Sequence, residues 1–299
     1  KYELEDGLRS ERTVARSVVQ GFVRGLRPTL NKRRLKIRDY QIDAITHAIA
    51  TDRSLLISPT ASGKSLIIYC LVRYYHMMGL KTLILVPTTS LVEQMYKDFE
   101  DYGWSSGTYC QKIYQGHDKK VEKDVVISTW QSIHRMPRPY FRQFGAVFGD
   151  EAHLFKAKSL TGVMTKLDTC KYRFGLTGTL DGTQTNRLVL EGLFGKAKYV
   201  VTTKELIDNK TLSNLKINCI VLKHPDEDRQ IVKEFDYGAE LEYIVTKAER
   251  NIFLSNLVGH CTGNTLCLFQ FVEKHGEPLY KLIKDKYKDR KVFFVYGGV

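Results

Sequence analysis

From Leu35 to about Val201, short apolar runs alternate with longer stretches in which apolar residues recur every three or four positions. The runs at 55–58, 82–86, 125–129, 146–149, 172–176 and 199–201 read as strands, being brief and mostly rich in β-branched or aromatic residues. Between them the periodicity predicts helices: Leu66, Ile67, Cys70 and Leu71 share one face with Tyr74, and Leu91, Met95 and Phe99 recur at intervals of four. Gly79 and Gly103 are placed to end those two helices. Strand and helix in alternation argue an α/β fold built on a doubly wound parallel sheet. A polar stretch, Asp208-Asn-Lys-Thr211, separates this block from a second one. The second block contains an apolar run at 264–271, a helix from Glu277 to about Lys288 and a further run at 291–295, the opening of another α/β domain. The expected organisation is a helical, basic segment at 1–34, a first domain at 35–207, and a linker with an incomplete second domain at 208–299.

Two signatures about 85 residues apart lie where strand runs stop, and they carry the chemistry. Ser58-Pro-Thr-Ala-Ser-Gly-Lys-Ser65 follows the first run and opens a helix. A strand, a tight loop and a helix N-terminus together aim backbone N–H groups at phosphates. Thr60, Ala61, Ser62 and Gly63 form that loop, Lys64 reaches the terminal phosphates and Ser65 supplies a hydroxyl to Mg²⁺. Ser58 stands where such loops usually carry their first glycine. Asp150-Glu-Ala-His153 ends the 146–149 run, so Asp150 sits at the carboxyl edge of a buried strand, where open α/β sheets bind ligands. Asp150 holds the magnesium shell with Ser65, and Glu151 orients and deprotonates the attacking water. Expected cofactors are therefore ATP and Mg²⁺.

Composition narrows the partners. With 46 Lys and Arg against 33 Asp and Glu, the chain carries a formal charge of +13, the footprint of a polyanion binder, although solubility alone would also use such charge. A basic cluster at Arg24, Arg27, Lys32, Arg33, Arg34, Lys36 and Arg38 lies just upstream of the nucleotide loop. No apolar run approaches the roughly 20 residues of a membrane span, so no membrane partner is expected. Six scattered cysteines without a C-x-x-C pair suggest reduced thiols and a cytoplasmic location, host cytoplasm for a viral protein. A chain that opens on Lys1 rather than Met is expected to be part of something longer.

Taken in order, these short motifs resemble a superfamily 2 helicase motor of the phage UvsW type, related in plan to RecG, over roughly residues 35–299. The resemblance implies RecA-like domains, with the second only begun. Arg38-Asp-Tyr-Gln41 is similar to the adenine-reading motif, in which Tyr40 and Gln41 would pack on and hydrogen-bond the base. Ala61 stands where the family often has Gly. Val86 to Gln94 resembles the motif whose Thr88, Thr89 and Gln94 would grip a strand's phosphates, and the same letters also suit a strand-to-helix join capped by Ser90. Ser128 to Ser132 is similar to the next strand-contacting motif, with Thr129 and Gln131 as donors and Trp130 more in keeping with core. His153 would couple the nucleotide to Leu176-Thr-Gly-Thr-Leu180, where Thr177, Gly178 and Thr179 link hydrolysis to strand movement; relatives more often carry Ala at 178. Leu266 to Gly276 looks like the first strand and loop of the second motor domain, with Phe269 facing nucleic acid.

The implied activity is an ATP-dependent DNA helicase or translocase on branched DNA, such as forks and recombination intermediates, working as a monomer. The family's last two motifs, which bring arginine fingers worth roughly 10³ to 10⁵ in turnover, do not occur before Val299, so the isolated 299 residues are expected to bind ATP but turn it over slowly. Alternatives are an RNA helicase, a translocating subunit of a restriction enzyme, a non-catalytic nucleic-acid-binding module switched by nucleotide, and an unrelated P-loop ATPase or kinase.

Overall fold

The computed structural model describes residues 12–156, 158–180 and 184–297. The first eleven residues of the expected N-terminal segment lie outside the described residues. The chain divides into two compact units, one ending at Asn214 and the other beginning at Leu215.

The first unit opens with helix α1 (Arg16–Leu26) and a two-stranded antiparallel hairpin, β1 (Thr29–Leu30) and β2 (Arg33–Arg34). There follow α2 (Asp39–Thr51), β3 (Arg53–Ile57), α3 (Lys64–Met77), β4 (Thr82–Val86), α4 (Thr89–Asp101), α5 (Ser106–Tyr109) and β5 (Cys110–Ile113). The unit continues through β6 (Val125–Thr129), α6 (Trp130–Ile133), α7 (Arg138–Arg142), β7 (Ala146–Gly149), α8 (Lys158–Lys166), β8 (Tyr172–Thr177), α9 (Gln184–Phe194), β9 (Ala197–Tyr199) and α10 (Thr203–Asp208). Strands β3 to β9 form one seven-stranded sheet in the order β5-β6-β4-β7-β8-β3-β9, with every pairing parallel.

Strand side chains alternate between the two faces of this sheet, and the two hydrophobic clusters divide along that alternation. Leu56, Ile84, Ile127, Phe148 and Phe174 point into a layer made with α1 to α4. Their neighbours Leu55, Leu83, Val126 and Val147 point into a layer made with α6 to α9. Helices on both faces make the sheet doubly wound, the α/β fold that the hydrophobic rhythm predicts. Because β4, β7, β8 and β3 are buried centrally, their carboxyl ends bring together the loops after Ile57, Gly149 and Thr177.

Several expectations needed revision. The edge strand β5 is absent from the pattern reading, because Cys110-Gln-Lys-Ile113 buries only its two ends. The last strand falls two residues earlier than expected, at Ala197–Tyr199, where Leu55 donates its N–H to the Lys196 carbonyl and fixes the register. On α3 it is Tyr75, 1% exposed, that enters the core, while Tyr74 packs at its margin, because Leu66 to Val72 are buried on every side and no narrow stripe exists. Gly79 and Gly103 do end their helices, at φ of +74° and +89°.

The second unit contains α11 (Asp226–Val232), α12 (Tyr237–Thr246), α13 (Ala248–His260), a single π-helical turn at Val272–Gly276 and α14 (Glu277–Lys286). Among its described residues, the runs at 264–271 and 291–295 form no ladder. A strand exists only through its partners' backbone hydrogen bonds, and apolar content cannot supply them.

Candidate nucleotide site

The phosphate loop leaves β3 at Ile57 and is tied at once to β8, with Ser58 N–H donating to the Thr177 carbonyl at 2.8 Å. The Ser58 hydroxyl donates to Ser62 Oγ at 2.7 Å, both groups fully buried. Serine at the first loop position thus braces the loop internally, a role glycine could not fill. Ala61 sits at φ +63°, a left-handed conformation costing roughly 1 kcal/mol for a residue with a Cβ, which explains why glycine suits this position. Gly63 is the N-terminal boundary residue of α3 at φ +84°, and a Cβ there would lie 2.4 Å from Gln41 Nε2. Lys64 Nζ donates to the Ser58 carbonyl at 3.4 Å and faces Gly178. A Cβ on Gly178 would meet Lys64 Nζ at 3.6 Å, ordinary contact, so alanine fits there as well.

Tyr40 and Gln41, expected to meet adenine, are both engaged by the loop itself. Tyr40 OH and Gln41 Nε2 each donate to the Ser62 carbonyl at 2.9 Å. Gln41 Oε1 accepts the Arg38 backbone N–H at 3.0 Å, closing the N-terminus of α2, and Gln41 is 3% exposed. Arg38 donates to Tyr40 OH at 2.7 Å. The motif therefore clamps the phosphate loop to α2.

At the end of β7, Asp150 is buried at 9% exposure. Its carboxylate accepts the Glu151 N–H at 3.0 Å. Burial, then the charge of Glu151, pushes its pKa up to about 6, against the opposing pull of that N–H and of Lys64. Glu151 is held at φ +50°, a strained backbone of the kind found where a side chain must be aimed. Glu151 Oε2 lies 3.4 Å from His153 Nδ1. His153 Nδ1 is also 2.9 Å from Thr177 Oγ1, and Thr177 Oγ1 donates to the Thr179 carbonyl at 2.9 Å. A hydroxyl has one proton, so Thr177 must accept from His153, which fixes the proton on Nδ1. The loops after β7 and β8 are therefore joined through one histidine.

Mg²⁺ is the ion that the motif order implies, and the donors present here fit it. Asp150 offers a buried carboxylate whose charge the protein compensates only weakly, and Ser65 offers a hydroxyl across the loop. Among the described residues no group of three His, Cys, Asp or Glu could hold a metal. A carboxylate and a hydroxyl are hard oxygen donors of the kind that magnesium takes one or two of, its shell being completed by phosphates and water. Ser65 Oγ itself is hydrogen-bonded to Tyr102 OH at 2.8 Å, a partner sequence reading missed.

The expected nucleic-acid residues divide into two groups. Thr88, Thr89, Gln94 and Gln131 are exposed. Thr88 rather than Ser90 caps α4, accepting the Leu91 N–H at 3.3 Å. Gln131 Nε2 donates to the Pro87 carbonyl at 3.3 Å, joining the two loops that carry these residues. Thr129, in contrast, is 5% exposed and shares a hydrogen bond with Ser132 at 2.8 Å, while Trp130 packs against the second core cluster. Phe269 belongs to the second unit, where it stacks on Phe294 with centroids 5.2 Å apart.

Among the described residues no helix is long and apolar enough to cross a membrane. The family described as "Type III restriction enzyme, res subunit" matches residues 34–182. The chain is 36% identical to the ATP-dependent DNA helicase uvsW of Enterobacteria phage T4 across 89% of its own length and 54% of that protein. It is 26% identical to the DNA 3'-5' translocase XPB2 of Sulfurisphaera tokodaii across 67% of its length and 44% of that protein. The chain thus spans about half the length of these curated relatives. A crystal structure of the UvsW helicase from bacteriophage T4 superposes with a TM-score of 0.59 at 34% identity, covering 64% of this chain and 69% of that one. A RecA-like sheet carrying the phosphate loop, the Asp-Glu-Ala-His turn and the threonine turn in this order accords with that likeness, and the chain belongs to the superfamily 2 helicases of the UvsW type.

Proposed function

We propose that this chain supplies the nucleotide-hydrolysing half of an ATP-dependent DNA helicase or translocase acting on branched DNA. The curated relatives are named as a DNA helicase and a DNA translocase, which supports DNA as the partner. The observation that carries the reading is the chain of contacts Glu151–His153–Thr177–Thr179, which connects a water-activating carboxylate to the loop below the phosphates. Magnesium, held by Asp150 and Ser65, would neutralise charge on the β- and γ-phosphates. Loop N–H groups and Lys64 bind and orient the triphosphate, and Glu151 positions the attacking water and takes its proton. His153 then reports the change to Thr177 and Thr179, and Thr88, Thr89, Gln94 and Gln131 provide exposed donors for strand phosphates. Residues 35–207 would form the first motor domain, and 208–299 a linker with the beginning of its partner, acting as a monomer in the cytoplasm.

Turnover of ATP by the protein, measured without nucleic acid and with RNA, single-stranded, duplex and forked DNA, tests this reading. Forked DNA should stimulate most; equal rates throughout would remove the helicase assignment. Glu151→Gln should retain nucleotide binding and lose turnover by a factor of at least about 10².

A further inference from the structure

Ser65 carries the hydroxyl assigned to magnesium, and two residues outside every recognised motif lie against it. Tyr102, at the C-terminal end of α4, places its OH 2.8 Å from Ser65 Oγ. Asp98, one turn earlier on the same helix, lies near the same hydroxyl: burial raises the pKa of its carboxyl, and Ser65 works against that rise. The carboxylate of Asp98 is half-buried, has no ion-pair partner among the described residues, and lies close enough to Asp150 to oppose its ionisation.

Neither group is loosely held. The ring of Tyr102 is 8% exposed and packs against Tyr69 with centroids 5.2 Å apart. The Tyr102 N–H donates to the Asp98 carbonyl at 2.8 Å, and the Tyr102 carbonyl accepts the Thr29 N–H at 3.3 Å. A fixed phenol, with a carboxylate beside it, therefore meets one hydroxyl.

A hydroxyl that ligates a cation uses an oxygen lone pair, so its proton must point elsewhere, to an acceptor. Outer groups that accept from or donate to a metal ligand fix its orientation and tune its affinity. We propose that Tyr102, with Asp98 beside it, is a positioning residue for magnesium: Tyr102 OH accepts the single hydrogen bond that Ser65 can donate, so that the Ser65 lone pairs face the nucleotide-bound ion. This rests on the nucleotide-site reading and adds to it two residues at the far end of the helix that Thr88 caps.

The test is the affinity of the protein for a fluorescent ATP analogue, titrated in EDTA and at a series of Mg²⁺ concentrations. Tyr102→Phe keeps the ring and Asp98→Asn keeps the shape, and thermal unfolding checks that both fold. Each should lower the Mg²⁺-dependent gain in affinity by about tenfold, with affinity in EDTA unchanged. Ser65→Ala should remove most of that gain, and adding Tyr102→Phe to it should cost nothing further. A native Mg²⁺ dependence in both variants, or equal losses with and without Mg²⁺, would overturn the assignment. A native protein that binds no nucleotide would overturn the nucleotide reading and this inference with it.

Discussion

Gly63 shows how much of the site a single residue can decide. It needs a left-handed backbone at φ +84°, and it also lacks the atom that would collide with Gln41. The collision is with a side chain already committed at both ends, to the Arg38 N–H and the Ser62 carbonyl, so it cannot swing away without opening the clamp. Gly63→Ala is therefore expected to cost about 1 kcal/mol from the backbone alone and more from the displaced amide. Nucleotide affinity should fall steeply while the sheet stays folded, measured by calorimetric titration beside a thermal melt; native affinity in that variant would refute the clamp. The sequence letters placed Lys64 and Ser65 at the start of a helix and Asp150 and Glu151 just past the end of a strand, and the fold has them there. They did not reveal that Gln41 is spent on the loop, since an amide's partner is chosen by the fold. Asp98 and Tyr102 escaped for a related reason: helical periodicity picks out Met95 and Phe99, the apolar face, and is silent on a polar pair aimed along the helix at another element.

At the scale of elements, legibility followed burial. Strands β4, β6 and β7 lie centrally, every one of their residues is buried, and their apolar runs match their bounds. The edge strands β5 and β9 are half-exposed, so composition marks them poorly, and hydrogen bonding decides where they begin. In the second unit, composition placed α14 almost to its ends, yet it also suggested strands for which no ladder forms. What orders that unit locally is visible at His275, which is 6% exposed and accepts from Arg250 Nη1 at 3.3 Å. Burial first, and the neighbouring guanidinium second, hold its pKa below the usual 6.5. A histidine with a lowered folded pKa stays neutral in the native state while the unfolded chain takes up the proton more readily. Its contribution is therefore present above about 6.5 and is lost as pH falls through the lowered native value. Amide exchange in α13 and α14 should accelerate across that window, and His275→Gln should flatten the response. Unchanged exchange across the same range would show that the histidine does not govern the unit.

At the scale of the whole molecule, the +13 charge is unevenly placed. Residues 12–38 contain nine Lys and Arg and no Asp or Glu. Arg12 is paired with Asp52, and Arg16 with Asp39 and Asp43. Arg24, Arg27, Lys32, Arg33, Arg34 and Lys36 are exposed and make no ion pair among the described residues, gathered at the end of α1 and on the β1–β2 hairpin. Left-handed backbone at Asn31 and Lys32 turns that hairpin tightly, so Arg33 and Arg34 are carried on ordered strand rather than on a floppy tail. Like charges held together in this way repel one another, which disfavours the fold unless a polyanion offsets the repulsion by binding there. If DNA phosphates do so, each phosphate neutralised releases counterions, and the logarithm of affinity falls with the logarithm of salt by about 0.9 per phosphate on a duplex. A triple Arg33→Ser, Arg34→Ser, Lys36→Ser variant should then bind duplex DNA more weakly at low salt and show a shallower slope, by about 0.9 for each phosphate that it no longer neutralises. Its ATP affinity should be untouched, because the phosphate loop is clamped by Tyr40 and Gln41 and not by these three. Fluorescence anisotropy of labelled duplex across a KCl series measures the slope directly. An unchanged slope would mean that this cluster serves solubility and that DNA is gripped elsewhere, through the exposed threonines and glutamines at the carboxyl edge of the sheet.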